Sequence, residues 1–212
     1  VYIPKHFQQD DIEALLTLVR SHPFATLVTH SQAGPDAMHL PMLLEQQPDK
    51  LLLKGHIAKA NPLWKTAGES AQVLGIFHGP NCYISPNHYP SKAVHGKAVP
   101  TWNYVAVHVK GSLAFKHDKT WLLELVDGLT QEHESKEAKP WSVNDAPDSY
   151  IDKLLNAIVG VEIEVEQIEG QWKLSQNQPP ENIAGVIEGL KKSGDNRAKQ
   201  VAEWVSKSHS KH

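Results

Sequence analysis

Apolar residues at Ile12, Leu15, Leu16 and Val19 recur at the spacing of one helix face, with Asp10 or Asp11 placed to cap it. Ser21, His22 and Pro23 end that helix, and the period then shortens to two. Residues 24–30 predict a strand, 38–45 a second with Pro41 marking an edge or bulge, and 51–54 a third. Turns over 32–36, with Gly34-Pro35, and over 46–50 join these into an antiparallel meander. Asn61 and Pro62 suit the cap and first position of a short helix through Leu63, Trp64 and Lys65, ending near Gly68.

Further along, 71–77 predicts a strand and 82–84 a short one. A long irregular loop then runs to Thr101, and 103–115 reads as a long strand broken by Gly111. Asp118 precedes a helix carrying Trp121, Leu122, Leu125, Val126 and Leu129. Asp148 starts another through Tyr150, Ile151, Leu154, Leu155 and Ile158. Residues 161–168 alternate apolar with acidic positions, as in a strand with one wet face. Glu169-Gly170 predicts a turn into a last strand at 172–175. From Glu181 the chain reads as two helices, separated at Gly194, with Asp195 capping the second. About seven strands and five or six helices result, without βαβα alternation, so the fold expected is mainly β with peripheral helices (α+β), built on an antiparallel barrel. Residues 1–180 are expected to form the barrel domain and 181–212 a helical extension.

Composition narrows the function classes. Hydrophobic residues make up 40% of the 212, enough for a core, and 21 Lys plus Arg against 24 Asp plus Glu give a net charge of −3, which does not announce a nucleic-acid binder. Positive charge does gather near the end, where Lys191, Lys192, Arg197, Lys199, Lys207 and Lys211 face only Asp195 and Glu203. The single cysteine, Cys82, precludes an intrachain disulfide and fits a reducing compartment. No apolar run has the length of a membrane span and residues 1–10 hold no leader-like apolar stretch, so a soluble cytoplasmic protein is expected, with no membrane partner.

Three segments offer chemistry. In the first, Lys54, Gly55, His56, Lys59, Ala60 and Asn61 lie where a strand end meets a capped helix. Backbone N–H groups and two lysines there suit a phosphate, although an ordinary strand-to-helix turn with surface lysines is the simpler reading of the residue types alone. In the second, Trp102, Asn103 and Tyr104 combine two aromatics, an amide and a hydroxyl that suit a flat ring; a barrel rim covering the core has the same composition. The third, Trp172 to Asn177, is a final strand with one polar face. The 13 histidines show no zinc-ligand spacing, no Gly-x-Ser-x-Gly elbow accompanies Ser85 and His88, and no dinucleotide or P-loop fingerprint occurs.

These segments, read in order, resemble the PaiB family. The matching runs are Tyr2-Ile3-Pro4 with Phe7, His39-Leu40-Pro41, Gly55-His56, Ala58-Lys59-Ala60-Asn61-Pro62 with Trp64, and Gly79-Pro80. Next come Tyr83-Ile84-Ser85-Pro86, Tyr89 with Lys92, Val99 to Tyr104, and Val107-His108-Val109 with Gly111. His133-Glu134, Pro140-Trp141, Ile158-Val159-Gly160, Glu162-Ile163 and Lys173-Leu174-Ser175-Gln176-Asn177 complete the series. Only the chain beyond about Leu190 lies outside it. Lys59 stands where the family pattern has arginine, so the charge is kept without the bidentate fork.

The resemblance implies an FMN-binding split barrel related to pyridoxamine-phosphate oxidase and flavin reductases, acting as a homodimer. It makes Lys54, Gly55, His56, Lys59, Ala60 and Asn61 the expected phosphate cradle. It places His39, Leu40 and Pro41 beside the isoalloxazine. It brings Trp102, Asn103 and Tyr104 to the cofactor, in one arrangement from the second subunit, and lets Lys173 and Ser175 line the same pocket. The family label is negative transcriptional regulator, which implies DNA as a partner and no catalytic residues. An FMN-dependent oxidoreductase, with His56, His39 and Tyr104 as nearby proton donors, and a flavin-free dimeric binding protein are the alternatives.

Overall fold

The computed structural model describes residues 2–31, 34–68 and 70–210. The expected turn at 32–36 therefore lies partly outside the described residues, as do Lys211 and His212 of the basic tail. The strands are β1 (Gln8–Gln9), β2 (Phe24–Ser31), β3 (Gly34–Pro41), β4 (Leu43–Gln46), β5 (Leu51–Ala58), β6 (Ala71–Ile84), β7 (Thr101–Lys116) and β8 (Ile158–Lys173). The helices are α1 (Ile12–Ser21), α2 (Leu63–Thr66), α3 (Ser91–His95), α4 (Lys119–Glu134), α5 (Asp148–Leu155), α6 (Pro180–Lys192) and α7 (Asn196–His209). The sheet order is β3-β2-β6-β7-β8-β5-β4, with β1 paired to β8. The β2–β3, β2–β6, β4–β5, β5–β8 and β1–β8 ladders are all antiparallel. The mainly β, α+β expectation holds.

Capping follows the sequence. The Asp11 carboxylate accepts the Glu13 N–H at 3.0 Å, Asp118 accepts that of Trp121 at 2.9 Å, and Asp195 accepts that of Arg197 at 2.9 Å. Pro41 ends β3, and the next N–H, of Met42, leaves the strand to donate to the Pro23 carbonyl at 2.9 Å. The expected single strand over 38–45 is therefore two, β3 and β4.

Elsewhere strands run further than expected. The turn anticipated at Glu169-Gly170 is instead the body of β8, because β1 supplies a partner there, with Gln8 opposite Gln171 and Gln9 opposite Gly170. β6 continues through Gly79-Pro80. β2 pairs with it only at Leu74–Ile76, so the missing N–H of Pro80 costs nothing to that ladder. β7 runs unbroken past Gly111, where a side chain has no room: a Cβ would lie 2.1 Å from the Glu164 carbonyl oxygen. The segment expected as an irregular loop after Ile84 holds a 3-10 turn at Pro86–His88, capped by Ser85, and α3.

The chain divides into two compact units. One comprises Leu16–Phe77 and His108–Ile168, with a core that includes Leu27, Leu53, Phe77, Leu113, Leu122 and Ile163. The other comprises Val1–Leu15, His78–Val107 and Glu169–His212, and its core includes Ile84, Val105, Leu174, Val186, Val201 and Val205. In this second unit α6 packs on α7, and Trp172 meets Trp204 edge to face at 6.1 Å. Among the described residues no helix is long and apolar enough to cross a membrane.

Candidate functional site

β5 organises the first candidate segment differently from the expected strand-end loop. The strand runs to Ala58, so Gly55 and His56 are paired strand residues, opposite Val161 and Gly160 of β8. Alternation puts Lys54 and His56 on one face of β5 and Gly55 on the other. Gly55 is required by the protein's own packing. A Cβ there would meet Met42 Sδ at 2.9 Å, the Pro41 carbonyl at 3.0 Å and Leu40 Cδ1 at 3.1 Å.

The two lysines of the segment are not equivalent. Lys54 Nζ lies 2.5 Å from the Glu45 carboxylate and 5.8 Å from the Trp121 ring centroid. That hydrogen bond, with one from Gln47, holds the Glu45 carboxyl below its usual value. Lys59, beyond the end of β5, is exposed, and its ammonium has no acidic partner among the described residues. Its main chain is fixed at both ends: its N–H donates to the Ala157 carbonyl at 2.8 Å, and its carbonyl accepts the Trp64 indole N–H at 2.9 Å. Asn61 caps α2 through its side-chain oxygen, which accepts the Leu63 N–H at 2.9 Å.

Pro41 and His56 line one cleft of about 310 Å³. Its other walls come from α4, through Val126, Leu129, Thr130, His133 and Glu134, and from Trp141. The Glu134 carboxylate accepts the Trp141 backbone N–H at 2.9 Å, which holds the tryptophan at the cleft. His56 is the notable polar group. Its Nδ1 is buried without a hydrogen-bond partner, and burial pushes its imidazole below the usual value, so the ring is held neutral. His39 stands on the exposed face of β3, its Nδ1 3.1 Å from Thr26 Oγ1, while Leu40 points into the core.

The remaining candidates lie in the other unit. Trp102 is half exposed, donates its indole N–H to Asn81 at 3.1 Å and meets the exposed Tyr83 edge to face. Asn103 is fully enclosed and donates its amide to Ser175 Oγ at 2.9 Å. Tyr104 is half-buried on the Trp102 face of β7. Ser175 is itself buried and adopts a left-handed backbone, φ 66°, in the turn that follows β8. Lys173 donates to Thr101 Oγ1 at 2.9 Å and reaches over the Phe7 ring.

Thr130, His133, Glu134 and Trp141 line the cleft without being among the site residues expected from the sequence. The runs His133-Glu134 and Pro140-Trp141 carried a signal for three of them, and Thr130 lay in none. What was missing was the fold that brings the end of α4 over His56.

Two kinds of likeness place this architecture. Solved structures of flavin proteins share the fold. The FAD- and heme-binding protein of Mycobacterium smegmatis matches with TM-score 0.55 at 15% identity, over 84% of this chain and 78% of that one. The flavocytochrome Anf3 of Azotobacter vinelandii matches with TM-score 0.53 at 13% identity, over 81% and 72%. Both share the split-barrel fold with this chain. Within that fold, residues 1–167 match the family described as "Putative FMN-binding domain". The chain is also 35% identical to protease synthase and sporulation protein PAI 2 of Bacillus subtilis, over 97% of this chain and 96% of that protein. An uncharacterized protein of Emericella nidulans is 31% identical, with the same two coverages. The chain belongs to the PaiB family of FMN-binding split-barrel proteins.

Proposed function

We propose that FMN is held in this protein with its phosphate on Lys59 and the backbone around Asn61, and its ring beside Pro41 and His56. We propose further that the flavoprotein is a cytoplasmic homodimer that lowers transcription. The observation that carries the cofactor placement is His56. His56 lines the cleft near the end of β5, and its buried Nδ1 has no hydrogen-bond partner within the protein, in a family of FMN-binding proteins. Lys59 supports it as the cation of the segment that no carboxylate already neutralises. Bound FMN supplies reversible electron transfer; the residues around it bind, orient and exclude water.

For the dimer, the exposed aromatics Tyr83 and Trp102, braced by Asn81, suit an interface that completes a cofactor site with Tyr104 and Lys173. Asn103 and Ser175, enclosed and bonded to each other, would shape that site from behind. For DNA, the support is the tail. α7 buries Ala198, Val201, Ala202 and Val205, and of the tail's described cations Lys192 is paired with Glu188 and Arg197 with Asp195. Lys191, Lys199 and Lys207 are left for phosphates.

The test has two parts. Purified protein titrated with FMN should gain a bound-flavin absorbance spectrum with one FMN per chain. A labelled promoter fragment should then bind with an affinity that falls steeply with salt. No flavin uptake overturns the cofactor placement, and no DNA binding at low salt overturns the regulatory role.

The neutral His56 imidazole favours one second reading, an FMN-dependent oxidoreductase in which His56 accepts a proton beside the ring. Oxidation of NADH or NADPH by the FMN-loaded protein, no faster than by free FMN, would exclude it.

A further inference from the structure

A second cavity, of about 290 Å³, shares His56, Val126, Thr130 and Trp141 with the 310 Å³ cleft. Its walls are aliphatic: Val126 from α4, Ile151, Leu154 and Leu155 from α5, and Ile158 at the start of β8. None of its lining residues carries a formal charge, since the one titratable group, His56, is kept neutral by burial.

Space of this kind is costly. An apolar void forfeits packing energy, and a buried polar atom without a partner forfeits a hydrogen bond. The available polar atoms also limit the guest. Thr130 already donates its hydroxyl to the Val126 carbonyl at 2.7 Å, so its oxygen can only accept. His56 Nδ1 can accept or donate according to tautomer. A cavity of about 150 Å³ holds benzene, and this one is roughly twice that size.

We propose that this cavity is a small-molecule site for an uncharged aromatic compound of one or two fused rings carrying a single hydroxyl or N–H donor. The rings lie among the aliphatic side chains of α4 and α5, and the donor reaches Thr130 Oγ1. The site goes beyond the flavin reading: it takes its ligand whether or not FMN is bound. Its entrance is marked by the half-exposed Trp141 and Leu154.

The test uses the full chain and 2-naphthol as the probe, followed by isothermal titration calorimetry with and without saturating FMN. Saturable binding is expected, one probe per chain, with a Kd that FMN changes by less than about threefold, well under 1.4 kcal/mol. Ile151→Trp fills the cavity and should weaken binding about tenfold or more, and the anion 2-naphthoate should bind about tenfold more weakly than 2-naphthol, because no cation lines the site. Should Ile151→Trp fail to fold by circular dichroism, Ala157→Phe, at an exposed position on the cavity wall, gives the same readout. The proposal is overturned by the absence of saturable heat up to about millimolar probe, by displacement of the probe on adding FMN, or by a filled variant that binds as the parent does. FMN uptake is read from the visible spectrum of the same samples. A colourless protein that still binds 2-naphthol would sink the flavin placement and leave this site standing.

Discussion

Asn103 donates its side-chain amide N–H to Ser175 Oγ at 2.9 Å, tying β7 to the turn after β8 across 72 positions of sequence. Both residues are buried, and the Asn103 Oδ1 has no hydrogen-bond partner, so this bond is the side chain's one tie. Asn103→Ala should therefore lower stability by about 1–3 kcal/mol, because it strands the Ser175 hydroxyl. Ser175→Gly should cost less, since glycine accepts φ 66° without the Cβ penalty. Urea denaturation of both variants checks the order; no loss in Asn103→Ala would show that the hydrogen bond contributes little, and equal losses that glycine gains nothing at φ 66°.

The two lysines of the β5 segment should separate cleanly in flavin titrations. Lys59→Ala removes the cation without a carboxylate partner and should weaken FMN binding about tenfold or more, the scale of one charge-assisted hydrogen bond. Lys54→Ala should change FMN affinity by less than about threefold, because Lys54 is already committed to Glu45. The reverse ranking would move the phosphate to the other end of the segment.

His56 gives a pH signature. Burial lowers its imidazole below 6.5, while in the unfolded chain it titrates near that value. Between the two values the unfolded state holds more protons, so stability rises with pH there. The His56 contribution is present above about pH 6.5 and is lost as pH falls below it. The other ionisable groups facing it across the cleft are His133 and Glu134. Unfolding midpoints measured from pH 8 down to pH 5 should fall less steeply for His56→Gln than for the parent; identical slopes would contradict the burial argument.

Cys82 should be a slow thiol. It is buried, and enclosure together with the Asp195 charge pushes it up to about 11, so almost no thiolate exists at neutral pH. Labelling by a thiol reagent at pH 8 should be many times slower for the folded protein than in denaturant. Prompt labelling of the folded chain would show that β6 opens at this point.

Gly111→Ala tests the close approach of β7 to β8. The new methyl would sit 2.1 Å from the Glu164 carbonyl oxygen, a backbone atom that cannot rotate away. A loss of about 1–3 kcal/mol or more is expected, read as a lowered thermal midpoint.

Local chemistry was legible in the sequence where it acts locally. Asp118 and Asp195 cap the helices they precede, and Pro41 breaks the strand it was expected to mark. Strand ends were less so, because pairing partners decide them. Gly170 looked like a turn until β1 paired with it, and Gly55 looked like room for a ligand until Leu40, Pro41 and Met42 filled that side. The site was legible in part. Pro41 and His56 do share a cleft, yet the walls supplied by Thr130, Glu134 and Trp141 lie more than seventy residues further along the chain, a distance no local pattern spans.

β6, β7 and β8 each begin in one compact unit and finish in the other, and α1 does the same. Neither unit is therefore a contiguous stretch of polypeptide. A cut at any of these four crossings divides α1 or one of the three long strands between two fragments. Shortened versions designed to isolate half of this protein should yield insoluble fragments, and reassembly, if sought, would need split pieces co-expressed from cuts outside the three long strands.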